Sequence, residues 1–159
     1  MSSHTLATYQ SERTLSTNTS TSLVQKSWQQ VLPIRDLAAE LFYGKLFELD
    51  PALKLMFKGD MKAQGGKLMT MIGVAVSNLD RPETLLPVLR GLGARHGAYG
   101  VKDHHYDTVA TALLDTLQRG LGEAFTPEVK RAWIEIYGVM ADAMKEAAAS
   151  TAATERLAA

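Results

Sequence analysis

The histidine at position 96 has the side chain to bind a metal or to move a proton, and it stands near the end of a predicted helix. The stretch from Leu92 to Val101 reads LGARHGAYGV. Gly97 suits the end of a helix, and Gly100 loosens the chain before the next helix. A histidine in this place serves as a metal ligand, as an acid or base, or as a plain capping group. The residues that lie opposite it decide between these roles.

Two polar side chains upstream interrupt helical patterns that are otherwise apolar. Tyr43 lies inside a run of large apolar residues, and Gln64 precedes Leu68 by four positions, so that Gln64 and Leu68 share a helix face. A core built only for packing would carry leucine at both polar positions. Buried tyrosine and glutamine need hydrogen-bond partners. Two interpretations stay open: both residues lie at a rim and bind water, or both face an interior ligand.

Composition narrows the class of protein. The chain has 159 residues, of which 46% are hydrophobic and 21% charged, as in one globular domain large enough to enclose a cofactor. Seventeen basic residues balance 17 acidic ones, which gives no electrostatic reason to expect nucleic acid or an anionic membrane as partner. The absence of cysteine excludes disulfides, iron–sulfur clusters, thiolate-bound or c-type haem and a cysteine nucleophile.

The two ends of the chain differ from its middle. Residues 1–22 hold twelve serines or threonines, and we therefore predict a disordered Ser/Thr-rich tail over residues 1–21. One domain is expected over residues 22–149, followed by a C-terminal tail over residues 150–159. No apolar run suits a transmembrane helix and no signal-peptide core is seen at the N-terminus, so the cytoplasm is the expected location.

The middle of the chain has helical periodicity throughout. Ser22 and Gln25 have the spacing of a capping box, which predicts the start of the first helix. Further helices are predicted over residues 34–49, 52–57, 61–79 and 103–121, and Asp50 is the predicted cap of the helix over 52–57. One more predicted helix carries His96, and the last one begins at Thr126 and Pro127. No segment alternates with a period of two residues, and the predicted class is all-α.

Several of these segments together resemble the globin family. They are Asp50-Pro51 with Phe57, Leu92-Gly93-Ala94-Arg95-His96 with Gly100-Val101, and Ala132-Trp133 with Tyr137-Gly138. The resemblance covers about residues 22–146 and is greatest to single-domain bacterial haemoglobins and to the globin domain of flavohaemoglobins. It implies the globin fold, with about seven to eight helices around a b-type haem pocket.

The resemblance also implies a role for individual residues. His96 matches the proximal histidine that binds haem iron, and Tyr43 and Gln64 match the distal pair of bacterial haemoglobins. Phe57 matches a phenylalanine on the haem face, and Leu68 an apolar residue that crowds the bound gas. The remaining expected cofactor contacts are Leu92, Val101, Val109 and the proximal tyrosine Tyr106, with Lys67 and Arg95 as candidates for the haem propionates.

Lys67 has a second interpretation as a solvated lysine. Ala39 and Gly65 are small residues where the second helix and the distal helix are expected to cross.

His104 and His105 stand beside Asp103, but adjacent residues on a helix diverge by about 100°. We therefore expect a solvated helix start at these histidines rather than a metal site.

The sequence departs from flavohaemoglobins on the proximal side. Their last helix carries a glutamate that works with the proximal tyrosine, whereas Ala148 stands at the matching position and Glu146 is expected to face another way. No reductase domain follows in the sequence. The resemblance therefore favours reversible binding of oxygen, nitric oxide or carbon monoxide, for oxygen storage or delivery or for nitric oxide scavenging. The alternatives are a nitric oxide dioxygenase served by a separate reductase and a haem-free interaction module.

Overall fold

The computed structural model describes residues 19–158, with side chains to residue 154, and these residues form helices without a strand. We number the α-helices in chain order: α1 (residues 19–31), α2 (Arg35–Leu49), α3 (Met61–Ser77), α4 (Pro82–Ala98), α5 (Asp103–Leu121) and α6 (Pro127–Ala158). Short 3-10 helices cover Leu32–Ile34, Pro51–Met56 and Gly122–Ala124. The described chain thus has six α-helices where seven to eight were predicted, because the predicted helix over 52–57 is a 3-10 helix.

Three helix starts follow from local capping chemistry. Asp50 Oδ1 accepts from the Ala52 amide at 3.2 Å, and Asp60 Oδ1 accepts from the Lys62 amide at 3.2 Å. At the start of α6, Thr126 Oγ1 accepts from the Val129 amide at 3.3 Å, and Pro127 takes the first helical position. These side chains satisfy amides that have no partner within the helix, which is why the predicted starts agree with the observed ones.

The start of the first helix differs from the prediction. Ser22 lies inside α1, and Gln25 Nε2 donates to the Val76 carbonyl at 3.0 Å, so the predicted capping box is wrong. Residues 19–21, placed in the tail by composition, already belong to α1, and Ser20 Oγ donates to Glu135 Oε2 at 2.7 Å. The rest of the predicted N-terminal tail lies outside the described residues. At the other end, α6 continues past residue 150 to Ala158.

The larger core lies where α1, α2, α5 and α6 converge. Val24, Leu117 and Trp133 are its most deeply buried large side chains. Trp133 Nε1 donates to Ser27 Oγ at 2.9 Å, which satisfies the indole within the core. Ala39 and Gly65 meet at the crossing of α2 and α3, since a Cβ built on Gly65 would lie 2.9 Å from Ala39 Cβ. The predicted close approach of these two helices is confirmed.

Helix α4 packs chiefly against α6 and touches α3 only slightly. A Cβ on Gly93 would overlap the main chain of Met144, and a Cβ on Gly97 would lie 3.0 Å from Ala148 Cβ. A second, smaller core cluster forms here around Ala75, Leu85 and Leu89. The apolar interior of the described chain is therefore divided between two clusters. Within the described residues, no helix is both long and apolar enough to span a bilayer.

Replacing Gly93 by alanine tests the contact between α4 and α6. We expect Gly93→Ala to lower the free energy of unfolding by about 1–3 kcal/mol, because the new methyl group meets main chain that cannot turn away. Gly138→Ala is the matched control, since a Cβ on Gly138 meets no atom within 4 Å. Urea unfolding of both variants measures the difference. Equal stabilities would contradict the described packing.

Candidate functional site

An aromatic wall lines one side of the candidate site. Tyr43 on α2 is 7% exposed. Its ring stacks on Phe47 at a centroid distance of 5.8 Å and meets the edge of Phe57 at 5.3 Å. Phe57 directly follows the 3-10 helix that Asp50 caps, so the cap sets the position at which this ring enters the wall. These rings hold Tyr43 in one orientation.

Tyr43 and Gln64 meet in the structure. Gln64 Nε2, from the first turns of α3, donates to Tyr43 Oη at 3.2 Å. The hydroxyl of Tyr43 acts as acceptor in this bond, so its own hydrogen stays available for a second group. Burial raises the pKa of Tyr43, while the bond from Gln64 lowers it. The side chain therefore stays a neutral donor at neutral pH.

His96 is oriented by the main chain of its own helix. Its Nδ1 lies 2.7 Å from the Leu92 carbonyl oxygen, so Nδ1 carries the proton and donates, and Nε2 keeps a free lone pair. Burial lowers the pKa of His96, the bond to Leu92 raises it, and the charge of Arg95 lowers it again. The ring is thus a neutral imidazole with one nitrogen able to bind a metal. Helix α4 continues to Ala98, which argues against a capping role.

Leu92, predicted as an apolar cofactor contact, acts in this structure through its main-chain carbonyl, which orients His96. The spacing of four residues between Leu92 and His96 on one helix is the signal that could have revealed it.

The other predicted contact residues fall into two groups by their exposure to solvent. Phe57, Leu68 and Val109 are half-buried and pack against the larger core cluster. Val101 is half-buried in the link between α4 and α5. Lys67 and Arg95 are exposed, so their charges are solvated. Apolar residues with partial exposure in the middle of helices indicate a face toward a cleft rather than toward a closed core.

Helix α5 carries a buried polar atom without a partner in the described chain. Tyr106 is buried on α5, and its Oη has no hydrogen-bond partner within the described residues. Tyr137 Oη donates to the Tyr106 carbonyl at 2.5 Å, a contact that sequence reasoning missed. Lys145 Nζ lies 5.4 Å from the centre of the Tyr106 ring. Glu146 is exposed, and Ala148 packs against Gly97.

His104 and His105 lie closer together than the sequence suggested. Their ring centroids are 4.2 Å apart, and His105 Nε2 is 3.9 Å from Asp50 Oδ2. The expectation that these neighbours diverge is wrong, because the two rings lie side by side next to Asp50, at the end of α2.

Tyr137 and Tyr106 should respond in different ways to loss of the hydroxyl. Tyr137→Phe removes a bond to a buried carbonyl, and we expect it to lower the free energy of unfolding by about 1 kcal/mol. Tyr106→Phe removes an unpaired buried hydroxyl and should leave stability unchanged or raise it. Urea unfolding of both variants tests this pair. A larger loss in Tyr106→Phe would show that its hydroxyl has a partner.

Two known proteins resemble this chain in sequence. The chain is 34% identical over 130 residues to an anaerobic nitrite reductase of Oryza sativa subsp. indica, which covers 78% of this chain and 90% of that protein. It is 34% identical over 105 residues to a flavohemoprotein of Bacillus subtilis, a match over 64% of this chain but only 26% of that protein.

Solved structures include an engineered carbene transferase, described as a putative nitric oxide dioxygenase from Rhodothermus marinus. Its structure matches this fold with a TM-score of 0.78 and 24% sequence identity, over 86% of this chain and 96% of that one. The sequence model of the family named Globin matches residues 40–144. Because this match covers most of the chain, and because the nitrite reductase relative is 34% identical over 78% of it, this chain belongs to the globin family.

Proposed function

We propose that this chain binds b-type haem through His96 and reversibly binds oxygen, and also nitric oxide or carbon monoxide. The observation that carries the proposal is the state of His96, whose Nδ1 is occupied by the Leu92 carbonyl while Nε2 keeps a free lone pair. A ring nitrogen bound to a carbonyl fixes the tautomer and orientation that a metal-binding histidine needs. Family membership and the haem proteins among its relatives support haem as the cofactor.

The surrounding residues suit a flat apolar cofactor. The interior is divided into two clusters, with Phe57 and Leu68 packed on the larger one and α4 contributing to the smaller one. Half-buried apolar side chains such as Val109 offer walls for the macrocycle. Lys67 and Arg95 are exposed cations, as contacts for solvent-facing propionates should be. The donor set, a neutral imidazole without thiolates, suits a non-covalently held haem.

Haem, when bound, would supply an iron atom that can bind a diatomic gas, with His96 as its protein ligand. Tyr43 contributes a hydroxyl hydrogen that is free to donate, because Gln64 occupies an acceptor position on the same oxygen. Burial keeps Tyr43 protonated, since it raises the pKa of the phenol. Gln64 holds the hydroxyl in place, and Leu68 and Phe57 limit the space beside it. This arrangement favours a gas that gains negative charge on binding, which is oxygen.

Loss of the His96 imidazole tests the cofactor. The purified protein should show a Soret absorption band, and His96→Ala should lose that band or bind haem with at least about tenfold weaker affinity, because the free Nε2 is removed. His104→Ala serves as the matched control, since His104 is exposed at the start of α5, and should retain the band. A wild-type protein that takes up no haem would favour the haem-free interaction module instead.

Loss of the Tyr43 hydroxyl tests the gas ligand. Tyr43→Phe should speed oxygen dissociation by about 10- to 100-fold, because a hydrogen bond to a charged acceptor contributes about 1.5–3 kcal/mol. Stopped-flow dissociation of oxygen from the ferrous protein measures the rate. Tyr99→Phe is the control, since Tyr99 is 72% exposed and should leave the rate unchanged. An off-rate for Tyr43→Phe within a factor of about two of the wild type would contradict this role.

A second candidate is nitric oxide dioxygenase chemistry that depends on a separate reductase. The flavohemoprotein match and the structural neighbour described as a putative nitric oxide dioxygenase favour it. The proximal side favours gas binding, because the Tyr106 hydroxyl has no partner in the described chain and Ala148 offers none. Nitric oxide consumption over many turnovers with an added reductase would establish the enzyme, whereas decay after a single turnover would support binding.

A further inference from the structure

Three potential metal ligands converge at a place that the candidate haem site does not use. Asp50 ends α2, and His104 and His105 stand in the first turn of α5. One ligand atom from each of the three residues lies within 4.8 Å of the others. The residues come from two segments more than fifty positions apart in sequence, so the cluster is a product of the fold.

We propose that Asp50, His104 and His105 form a binding site for a divalent transition-metal cation of the Zn²⁺ type. Imidazole nitrogen and carboxylate oxygen are ligands that Zn²⁺ prefers, and three protein ligands leave a fourth position for water. Tetrahedral bonds of about 2.0–2.2 Å place neighbouring ligand atoms about 3.4 Å apart. The three atoms therefore need to close by about 1 Å or a little more. His104 is exposed and free to make that movement.

Two of the ligands are already held in place. Asp50 Oδ1 accepts from the Ala52 amide at 3.2 Å, which leaves Oδ2 directed at His105. The side chain of His105 is only 12% exposed and lies 3.9 Å from that oxygen through Nε2. Hydrogen bonds of this kind from neighbouring groups orient ligands before the metal arrives. Metal binding therefore needs to fix mainly one further side chain, that of His104.

Binding also has an identifiable cost. The Lys102 amide donates to His105 Nδ1 at 2.8 Å, so the neutral ring carries its proton on Nε2. A cation bound at Nε2 requires the ring proton to move to Nδ1. The Lys102 amide then loses its acceptor and donates to water instead. This bond is exposed, so water replaces it at small cost.

A bound cation would join two segments that lead to the candidate haem site. Asp50 caps the 3-10 helix that ends before Phe57, and His105 immediately precedes Tyr106. The cation would therefore tie the end of α2 to the start of α5. It should stabilise the folded chain, because a ligand that binds only the folded state shifts the unfolding equilibrium.

The test is a titration of the full chain with Zn²⁺, followed by isothermal calorimetry at neutral pH. We expect one equivalent to bind and to raise the thermal unfolding temperature. His104→Ala and Asp50→Asn should each weaken binding more than about tenfold, since even the loss of an outer partner costs about 10- to 100-fold. Asp50→Asn keeps an oxygen for the Ala52 amide, so the helix cap survives. Asp107→Asn, at an exposed position of α5, is the matched control and should bind as the wild type does.

Three results would overturn the proposal. The first is no saturable binding near one equivalent, which would leave His105 and Asp50 as a polar contact only. The second is unchanged affinity in His104→Ala and Asp50→Asn, with the far-ultraviolet circular dichroism of both variants matching the wild type. The third is loss of binding in His96→Ala or Asp107→Asn, which would place the cation elsewhere. Because the cluster shares no residue with the candidate haem site, a protein that fails to bind haem can still pass this test.

Discussion

The close contact between Gly93 and the main chain of Met144 determines where His96 stands. Helix α4 touches α3 only slightly, so α6 is the surface that holds it. Gly93 and Gly97 lie one turn apart on α4, and each faces the backbone or a small side chain of α6. His96 immediately precedes Gly97. A larger residue on this face would move the helix outward and carry the imidazole with it, which makes the glycines as important to the site as the histidine.

The opposite wall depends on a similar crossing. Ala39 and Gly65 bring α2 and α3 close together, with a built Cβ at Gly65 only 2.9 Å from that of Ala39. Gln64 directly precedes Gly65, and Tyr43 follows Ala39 by one turn. The hydrogen bond between Gln64 and Tyr43 is therefore a consequence of the crossing. Each side of the candidate site is thus positioned by a pair of small residues next to a functional one.

Local signals in the sequence predicted more of the fold than of the contacts. Asp50, Thr126 and the apolar periodicity of α5 predict helix spans because caps and amphipathic faces involve residues a few positions apart. The start of α1 was missed because Ser20 is held by Glu135, 115 positions away. The resemblance to globins, carried by several separate motifs, predicted that Tyr43 and Gln64 act as a pair on one side of the candidate site. The bond from Tyr137 to the Tyr106 carbonyl and the convergence of His104, His105 and Asp50 depend on tertiary packing and side-chain torsions, which no local pattern encodes.

The two sides of the candidate site differ in how completely their polar atoms are satisfied. On α2, Tyr43 Oη accepts from Gln64 and keeps a hydrogen that this bond does not use. On α5, Tyr106 Oη is buried without a partner in the described chain, and Ala148 presents a methyl group to Gly97 of α4. His96 is bound by the Leu92 carbonyl of its own helix. Because a neutral carbonyl orients the imidazole without adding charge beside it, the main chain of α4 fixes both the position of the ring and its tautomer, and Nε2 stays free to bind a metal.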